Sequence, residues 1–532
     1  MPPERNTREP PAASVALVIA ESAKSPATSG QSRAQRRRSR WRNLLSKQWW
    51  RRRLARLRGN RRSTPTPIEN RIVLSSRADG LGYRLNGLLN AMRLADLLGV
   101  EFRFAWPLKG QVPQDTTHAI VPAEEFFSAD FLAAHQVEPE VASAGFVPPK
   151  GRGIDLEALR AQFAAADRGL LAPGSPLTNH IDPKAVPEVA RGFSKEFARI
   201  GFHRQIDEAI SAARALSLDP VTVGIHLRAG DHMYGRFRLL NRFWDKTVPA
   251  PIARELIMRS RADGSPVIVF GQDAELITEL CETTGAVDAA TMRPTSLGDR
   301  SAEAMFDLVL MSRCERILCG DSGFAVQAAA ISDKQAEFHV DLITPEESLR
   351  ITRSDLERNG DRYHPVQRAF TWWVAYYRVR HDIPFDEAAE MLGAAIEGDP
   401  DNSRSRLRLA ALSYREGDVV RGDEVLTDAL IADVAPGRDR LRSIIEFSRM
   451  RGRRFDSDEI VEDFERAAEA GSGPASIYRA AIRARRGEVE GALADAATFK
   501  KHAAAEPRLA GLAGFEALVE ATMTDRLGEF ES

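Results

Sequence analysis

Between residues 71 and 345 the apolar positions switch repeatedly between two periods. Residues 71–76 (RIVLSS) form a short run rich in β-formers and predict a strand. A glycine-containing stretch follows. Leu85, Leu88, Leu89, Met92, Ala95 and Leu98 then recur at helical spacing, so residues 85–98 predict a helix that Gly99 ends. Residues 100–106 predict the next strand. After a loop-rich stretch (residues 107–190) the alternation returns. Residues 221–227, 267–270, 316–319 and 338–342 predict strands, with helices over 274–284 and 303–312 between them. Strand–helix–strand order of this kind predicts an α/β class with two Rossmann-like halves facing each other across a cleft. Ligands of such sheets sit at the carboxyl ends of the strands.

From about residue 383 only the helical period remains. Gly417, Gly452 and Gly487 stand 35 residues apart, each before a new helical stretch, and Ala410 and Ala480 each precede their glycine by seven. Pro400 and Pro507 end two of the units. This period predicts an all-α module of tetratricopeptide-like repeats that binds a protein partner or packs on the enzyme. Residues 365–382, with Trp372, Trp373, Tyr376 and Tyr377, predict a helix that joins or caps it. The expected organisation is an arm over 1–66, α/β halves over 67–215 and 216–350, a connecting helix over 351–382 and repeats over 383–532.

Charge changes the picture at the amino terminus. The 532 residues carry a formal net charge of −1, but residues 1–66 hold 17 Lys+Arg against three acids, leaving −15 on the rest. The first 32 residues are rich in Pro, Ser, Ala and Thr and predict disorder. In residues 33–62, Trp41, Leu44, Leu45, Trp49, Leu54 and Leu57 recur at helical spacing among 13 arginines and one lysine. That pattern suits an anionic membrane surface, or else a solvated basic linker. The acidic body argues against nucleic acid as a partner. No run of 18 apolar residues occurs, and the patch over residues 13–20 has acids beside its arginines and no cleavage site after it, so neither a spanning helix nor a secretory signal is expected. With 43% apolar and 28% charged residues the composition is that of a globular protein. Cys281, Cys314 and Cys319 have no zinc-ligand spacing and suit a reducing compartment, so the expected location is cytoplasmic, peripheral to the inner membrane face if the arm binds lipid.

Three segments carry candidate chemistry. Residues 80–85 (GLGYRL) offer Gly80 and Gly82 at a strand-to-helix turn, where backbone can approach an anion, although a plain structural turn uses such a pair as well. Residues 226–231 (HLRAGD) end a predicted strand. Arg228 there can grip a pyrophosphate through two charge-assisted bonds, or pair with Asp231. His226 shares its face. Residues 307–324 lead from Asp307 through a short strand into a Gly-Asp-Ser-Gly turn. Ser322 then offers its hydroxyl at a helix start, or serves as an N-cap. Ser322 lacks the G-x-S-x-G setting of a hydrolase nucleophile.

In order and spacing these segments resemble the fucosyltransferase superfamily that includes the rhizobial nodulation, α-1,6-, α-1,2- and protein O-fucosyltransferases. The resemblance spans residues 70–345. It implies a glycosyltransferase-B fold, GDP-fucose bound mainly in the second half, and inverting transfer to a glycan or protein acceptor with no metal or other cofactor. Arg228 matches the arginine that holds the donor pyrophosphate. His226 and Asp231 match the rest of that motif, Asp231 with Arg228 on the catalytic side. Gly80, Gly82, Asp307 and Ser322 match donor-site positions. Asp79, Asp231 and His232 are the candidates for general base. No Asp-x-Asp metal motif occurs in either half. Two departures stand out: Ala229 replaces the second arginine of the motif, and Tyr83 replaces an asparagine. Ala229 keeps two further readings open, a transferase for another nucleotide sugar and an inactive scaffold acting through its repeats.

Overall fold

The computed structural model describes residues 71–108, 120–138, 145–235, 238, 241–297, 300–434 and 457–506. The arm, with the amphipathic pattern over 33–62, lies outside these, as do Gly452 and Pro507. Among the described residues no helix is long and apolar enough to cross a membrane.

The chain opens on β1 (Ile72–Ser76), then α1 (Leu81–Leu98) and β2 (Phe102–Ala105). α1 starts four residues before the helix predicted from residue 85. Gly80 is its extended N-cap, and nothing after Gly80 breaks the helix, because buried Leu81 and Leu85 already extend its apolar face by a turn. Gly99 closes it in the left-handed conformation at φ 70°. The loop-rich stretch hides two short strands, β3 (Phe146–Val147) and β4 (Gly169–Leu171). They complete a parallel sheet in the order β2-β1-β4-β3. Runs of two and three residues show no period, which is why they escape the sequence pattern.

α2 (Arg204–Ala215) leads into the second sheet. β5 (Val223–Leu227) begins two residues later than predicted, since Val221 is exposed. The short α3 (Gly230–Met233) follows, then α4 (Ala250–Ala262), β6 (Val267–Gly271), α5 (Ala274–Thr284), β7 (Val287–Asp288), α6 (Arg300–Ser312), β8 (Arg316–Cys319), α7 (Gly323–Ala330) and β9 (Glu337–Phe338). The strand expected over 338–342 is only this two-residue edge. The chain turns helical at His339, whose ring is wholly buried with Nδ1 3.4 Å from the Cys319 carbonyl. The sheet is parallel in the order β7-β6-β5-β8-β9. The chain therefore leaves β5 to one side and returns to its other side at β8, which puts the topological switch point between the carboxyl ends of β5 and β8.

β5 is buried on both faces. Val223, Ile225 and Leu227 pack against Ile252 and Ile257 of α4 and Leu276 and Leu280 of α5. On the other side Ile268, Phe270 and Ile317 join a continuous core with Met305 and Leu308 of α6, Leu88 and Met92 of α1, and Val73 of β1. Each such side chain contributes about 1.5–3 kcal/mol by leaving water. The two sheets are thus bound by one core, with α7 packed on α1 and α6 on α2.

The remaining elements are helices: α8 (Pro345–Asn359), α9 (Pro365–Val379), α10 (Phe385–Gly398), α11 (Ser403–Arg415), α12 (Val419–Val434), α13 (Ser457–Glu469), α14 (Gly473–Arg486) and α15 (Val489–Ala505). α8 belongs with the second sheet. Ile351 joins the core of β5, and Arg254 of α4 binds Glu279 and Asp355 and donates to the Tyr363 hydroxyl. From α9 through α12, and again from α13 through α15, successive helices pack on one another. Gly417 and Gly487 have φ 84° and 82°, the same left-handed turn after α11 and after α14.

Candidate functional site

Arg228 is the residue after β5, half-buried at the switch point. The chain turns sharply behind it through Gly230, at φ 48°, a conformation that favours glycine. α3 then carries His232 back toward Arg228. Burial, and after it the charges of Arg228 and Lys246, push the His232 imidazole down to about 3. Both cations therefore act on the His232 ring. Lys246 ends the 3₁₀ turn Asn241–Lys246, is 9% exposed, and places Nζ 3.2 Å from the Tyr83 hydroxyl and 5.0 Å from the centre of its ring.

The Gly-Asp-Ser-Gly turn lies beside them at the end of β8. Gly320 packs directly on the Asp245 and Lys246 carbonyls, and the Asp321 N–H donates to the Asp245 carbonyl at 2.8 Å. Ser322 is the buried N-cap of α7, yet its hydroxyl makes no capping bond. The plain N-cap role is therefore not what its side chain fills here. The His226 ring, 6% exposed, stands 5.7 Å from the ring of Phe324 in the first turn of α7.

The first sheet reaches the same place. A methyl group at Gly82 would stand 3.0 Å from the Phe324 nitrogen, and Asn86 Nδ2 lies 3.4 Å from the Gly323 carbonyl. The amino termini of α1 and α7 thus meet. Gly82 is required by this approach, whereas Gly80 has open space around its Cα and an ordinary φ of −64°. The Tyr83 ring slides between Gly174 and Gly323, where added methyls would stand 3.1 and 3.0 Å from it. Arg84 is buried, with Nε donating to the Asp79 carbonyl at 2.6 Å and Nη2 to the Pro107 carbonyl at 2.9 Å, and so fixes the turn that precedes α1. Burial pulls its pKa down to about 10 against the raising effect of Asp79.

Of the residues picked from the sequence, Gly82, His226, Arg228 and Ser322 converge, and His232 joins them. Asp307 is engaged by another charge set. Its two oxygens accept from Arg293 at 2.9 and 2.5 Å, and burial raises its pKa against that pairing. Asp79 is largely exposed and paired with Arg77. Asp231 contributes backbone to α3, and its side chain lies outside the described ones. Lys246, Gly174 and the role of Tyr83 were not visible in the sequence. Lys246 stands in no motif, and only the packing of its backbone on Gly320 after β8 brings it to this end of the sheet. Ala229, at the departure from the family motif, is buried. Among the described residues no cluster of His, Cys, Asp and Glu could hold a metal ion.

Two helix amino termini meet at this end of the second sheet, and the charges of Arg228 and Lys246 both reach the His232 ring, an arrangement whose electrostatics suit an anion.

No protein-family model and no curated protein matches the chain. Solved structures similar to it include fucosyltransferases. The fucosyltransferase NodZ from Bradyrhizobium is 16% identical and aligns over 49% of this chain and 92% of its own, with a TM-score of 0.30. A structure of the same enzyme soaked with GDP-fucose gives the same values. POFUT1 in complex with GDP is 12% identical over 52% of this chain and 98% of its own, also at 0.30. The chemistry of the site rests on its own residues.

Proposed function

We propose that this chain is a glycosyltransferase that seats the pyrophosphate of a nucleotide sugar, GDP-fucose first among them, at the switch point of the second sheet. The observation that carries this reading is the place of Arg228 just after β5 at the switch point, with the Lys246 backbone packed on Gly320 at the turn into α7 and the amino terminus of α1 against that of α7. In the same reading the two sheets are the halves of a glycosyltransferase-B fold. The helices after α9 are tetratricopeptide-like repeats, the acceptor is a glycan or a protein, and the enzyme works in the cytoplasm. GDP-fucose is singled out by the order of the three sequence motifs.

Transfer is an inverting displacement. An acceptor hydroxyl attacks the anomeric carbon from the face opposite the nucleotide, and the bond from that carbon to the β-phosphate oxygen breaks. The electron pair leaves with the diphosphate. In this reading Arg228 and Lys246, with the amino terminus of α7, take up the charge that develops on the leaving group, so that no metal is needed. The acceptor proton goes to a general base. His232, neutral but a very weak base beside two cations, is poorly suited to that task, which leaves a carboxylate as the better choice.

The test is nucleotide release from a panel of GDP-, UDP- and ADP-sugars by the full chain. Slow release of GDP from GDP-fucose that survives excess EDTA is expected, and Arg228→Ala should abolish it. Preference for another nucleotide, or loss in EDTA restored by Mn²⁺, would give the site to a different donor. Neither turnover nor binding with any of them would return the chain to the scaffold reading that Ala229 keeps open.

A further inference from the structure

The segment from Arg228 to Lys246 carries both cations and His232, and it is long. Its ends are tied to β5 and α4, and between them its described residues form the single turn of α3 and the 3₁₀ turn Asn241–Lys246. Connections of this length hold one conformation only when something outside them supplies anchors.

The anchors come from the carboxy-terminal helices. The Tyr234 hydroxyl donates to the Asp273 carboxylate at the end of β6. Gln367 of α9 donates from Nε2 to the Tyr234 hydroxyl at 2.8 Å and to the same Asp273 carboxylate. Gln367 is 3% exposed and Asp273 8%. His364, the N-cap of α9, stands edge-on to the Tyr234 ring at 5.4 Å. Further along the segment, Arg238 Nε lies 3.2 Å from an oxygen of Asp399, the buried residue that ends α10. Asn402, the N-cap of α11, donates to the Arg238 carbonyl at 3.3 Å. The Trp244 ring, two residues before Lys246, rests 4.9 Å from that of Tyr377 in α9. Three points of the segment are thus gripped by residues more than 130 positions away in sequence, through an amide–phenol hydrogen bond, an ion pair and a ring contact. The ion pair to the buried Asp399 is the charge-assisted one of the three.

We propose that the helices from α9 to the start of α11 are the back wall of the donor site. Gln367 and Asp399 act as positioning residues that hold the 228–246 segment so that Arg228, His232 and Lys246 face the pyrophosphate. The proposal rests on the reading of this end of the sheet as the donor site. It makes the helical region a part of the catalytic unit, so that whatever shifts α9 or α10 changes donor affinity.

The test uses the full chain with three substitutions. Gln367→Leu removes both donors to the Tyr234–Asp273 pair. Asp399→Asn removes the charge that holds Arg238. Asp495→Asn is the control, because Asp495 is a buried partner of Arg479 and Arg483 in α14 and touches nothing in the segment. GDP affinity, donor KM against kcat, melting temperature, and amide hydrogen exchange of peptides covering 230–246 are read for each. Gln367→Leu and Asp399→Asn should each weaken GDP about tenfold, raise donor KM more than they lower kcat, and speed exchange in 230–246 before nucleotide is added. The control should lower melting and leave those readouts alone. Unchanged GDP affinity and unchanged exchange in both variants, with melting shifted as in the control, would reduce the helices to a cover. If the wild-type chain binds no nucleotide, the donor reading fails by itself, and the exchange measurement still decides the clamp: faster exchange supports it and unchanged exchange overturns it.

Discussion

His232 is neutral at pH 7 because burial and two neighbouring cations push it down to about 3. A bound diphosphate reverses the charge balance around the ring and raises that value, so GDP binding takes up a proton as pH falls below the bound value. GDP affinity should therefore strengthen as pH is lowered from about 7 toward about 5. Titration calorimetry in buffers of different ionisation heat should show the uptake, and His232→Gln should remove both effects. The free protein behaves the other way. His232, and His339 pushed down to about 4 by its burial, bind protons more readily unfolded than folded, so stability is lost as pH falls through the window below the ordinary histidine value. Denaturant midpoints measured against pH check that sign. Asp307 makes a contrasting prediction. If its carboxylate serves the fold through Arg293, Arg293→Met strands a buried charge and should cost about 3–5 kcal/mol of stability while leaving GDP affinity near wild type. A large loss of GDP affinity would return Asp307 to the donor site. The place of Arg228 just after a strand was legible from the sequence because the apolar alternation of residues 221–227 ends there. Lys246 and Arg293 were not, because a partner made by tertiary return leaves no local pattern.

At the scale of elements, the contact between α1 and α7 decides whether the two sheets present one site. Gly82→Ala would set a methyl 3.0 Å from the Phe324 nitrogen and 3.1 Å from the Gly323 carbonyl carbon. Backbone cannot yield there without parting the two helix ends, so donor turnover should fall at least tenfold. Gly80→Ala, in open space at φ −64°, should be neutral or stabilise by about 0.5 kcal/mol through its effect on the unfolded chain. Turnover and melting of the two variants side by side separate close approach from simple turn chemistry, the two uses that the glycine pair left open in the sequence. The periodic elements were legible almost to the residue: β8 and α5 begin and end where the pattern places them. What escaped were strands of two or three residues, the early start of α1, the helix Leu156–Ala165 inside the stretch read as loop, and the helical turn at His339–Leu342 where a strand was expected. A short strand is defined by its neighbours in the sheet, and a helix start is set by the absence of a breaker as much as by its apolar face.

Across the whole molecule the 35-residue glycine period correctly marked helix ends at Gly417 and Gly487. It said nothing about how the helical region meets the 228–246 segment, which is through α9, the end of α10 and the N-cap of α11. A chain cut after residue 382 loses Asp399 and Asn402 and should bind GDP more weakly than the full chain. The basic arm calls for its own measurement. With 13 arginines and one lysine between residues 33 and 62, the full chain should pellet with anionic vesicles, less so at high salt, and a chain starting at Pro67 should not. Equal pelleting with neutral vesicles would make the segment a linker. The central claim, that the switch point of the second sheet receives a nucleoside diphosphate through Arg228, is tested most directly by calorimetric titration of GDP into the full chain and its Arg228→Ala and Arg228→Lys variants. Binding by the wild type, with at least a tenfold loss in both variants (about 1.4 kcal/mol) and nearly unchanged melting, is the expected result, because a point charge cannot replace the planar fork. Equal GDP affinity in wild type and Arg228→Ala would contradict it.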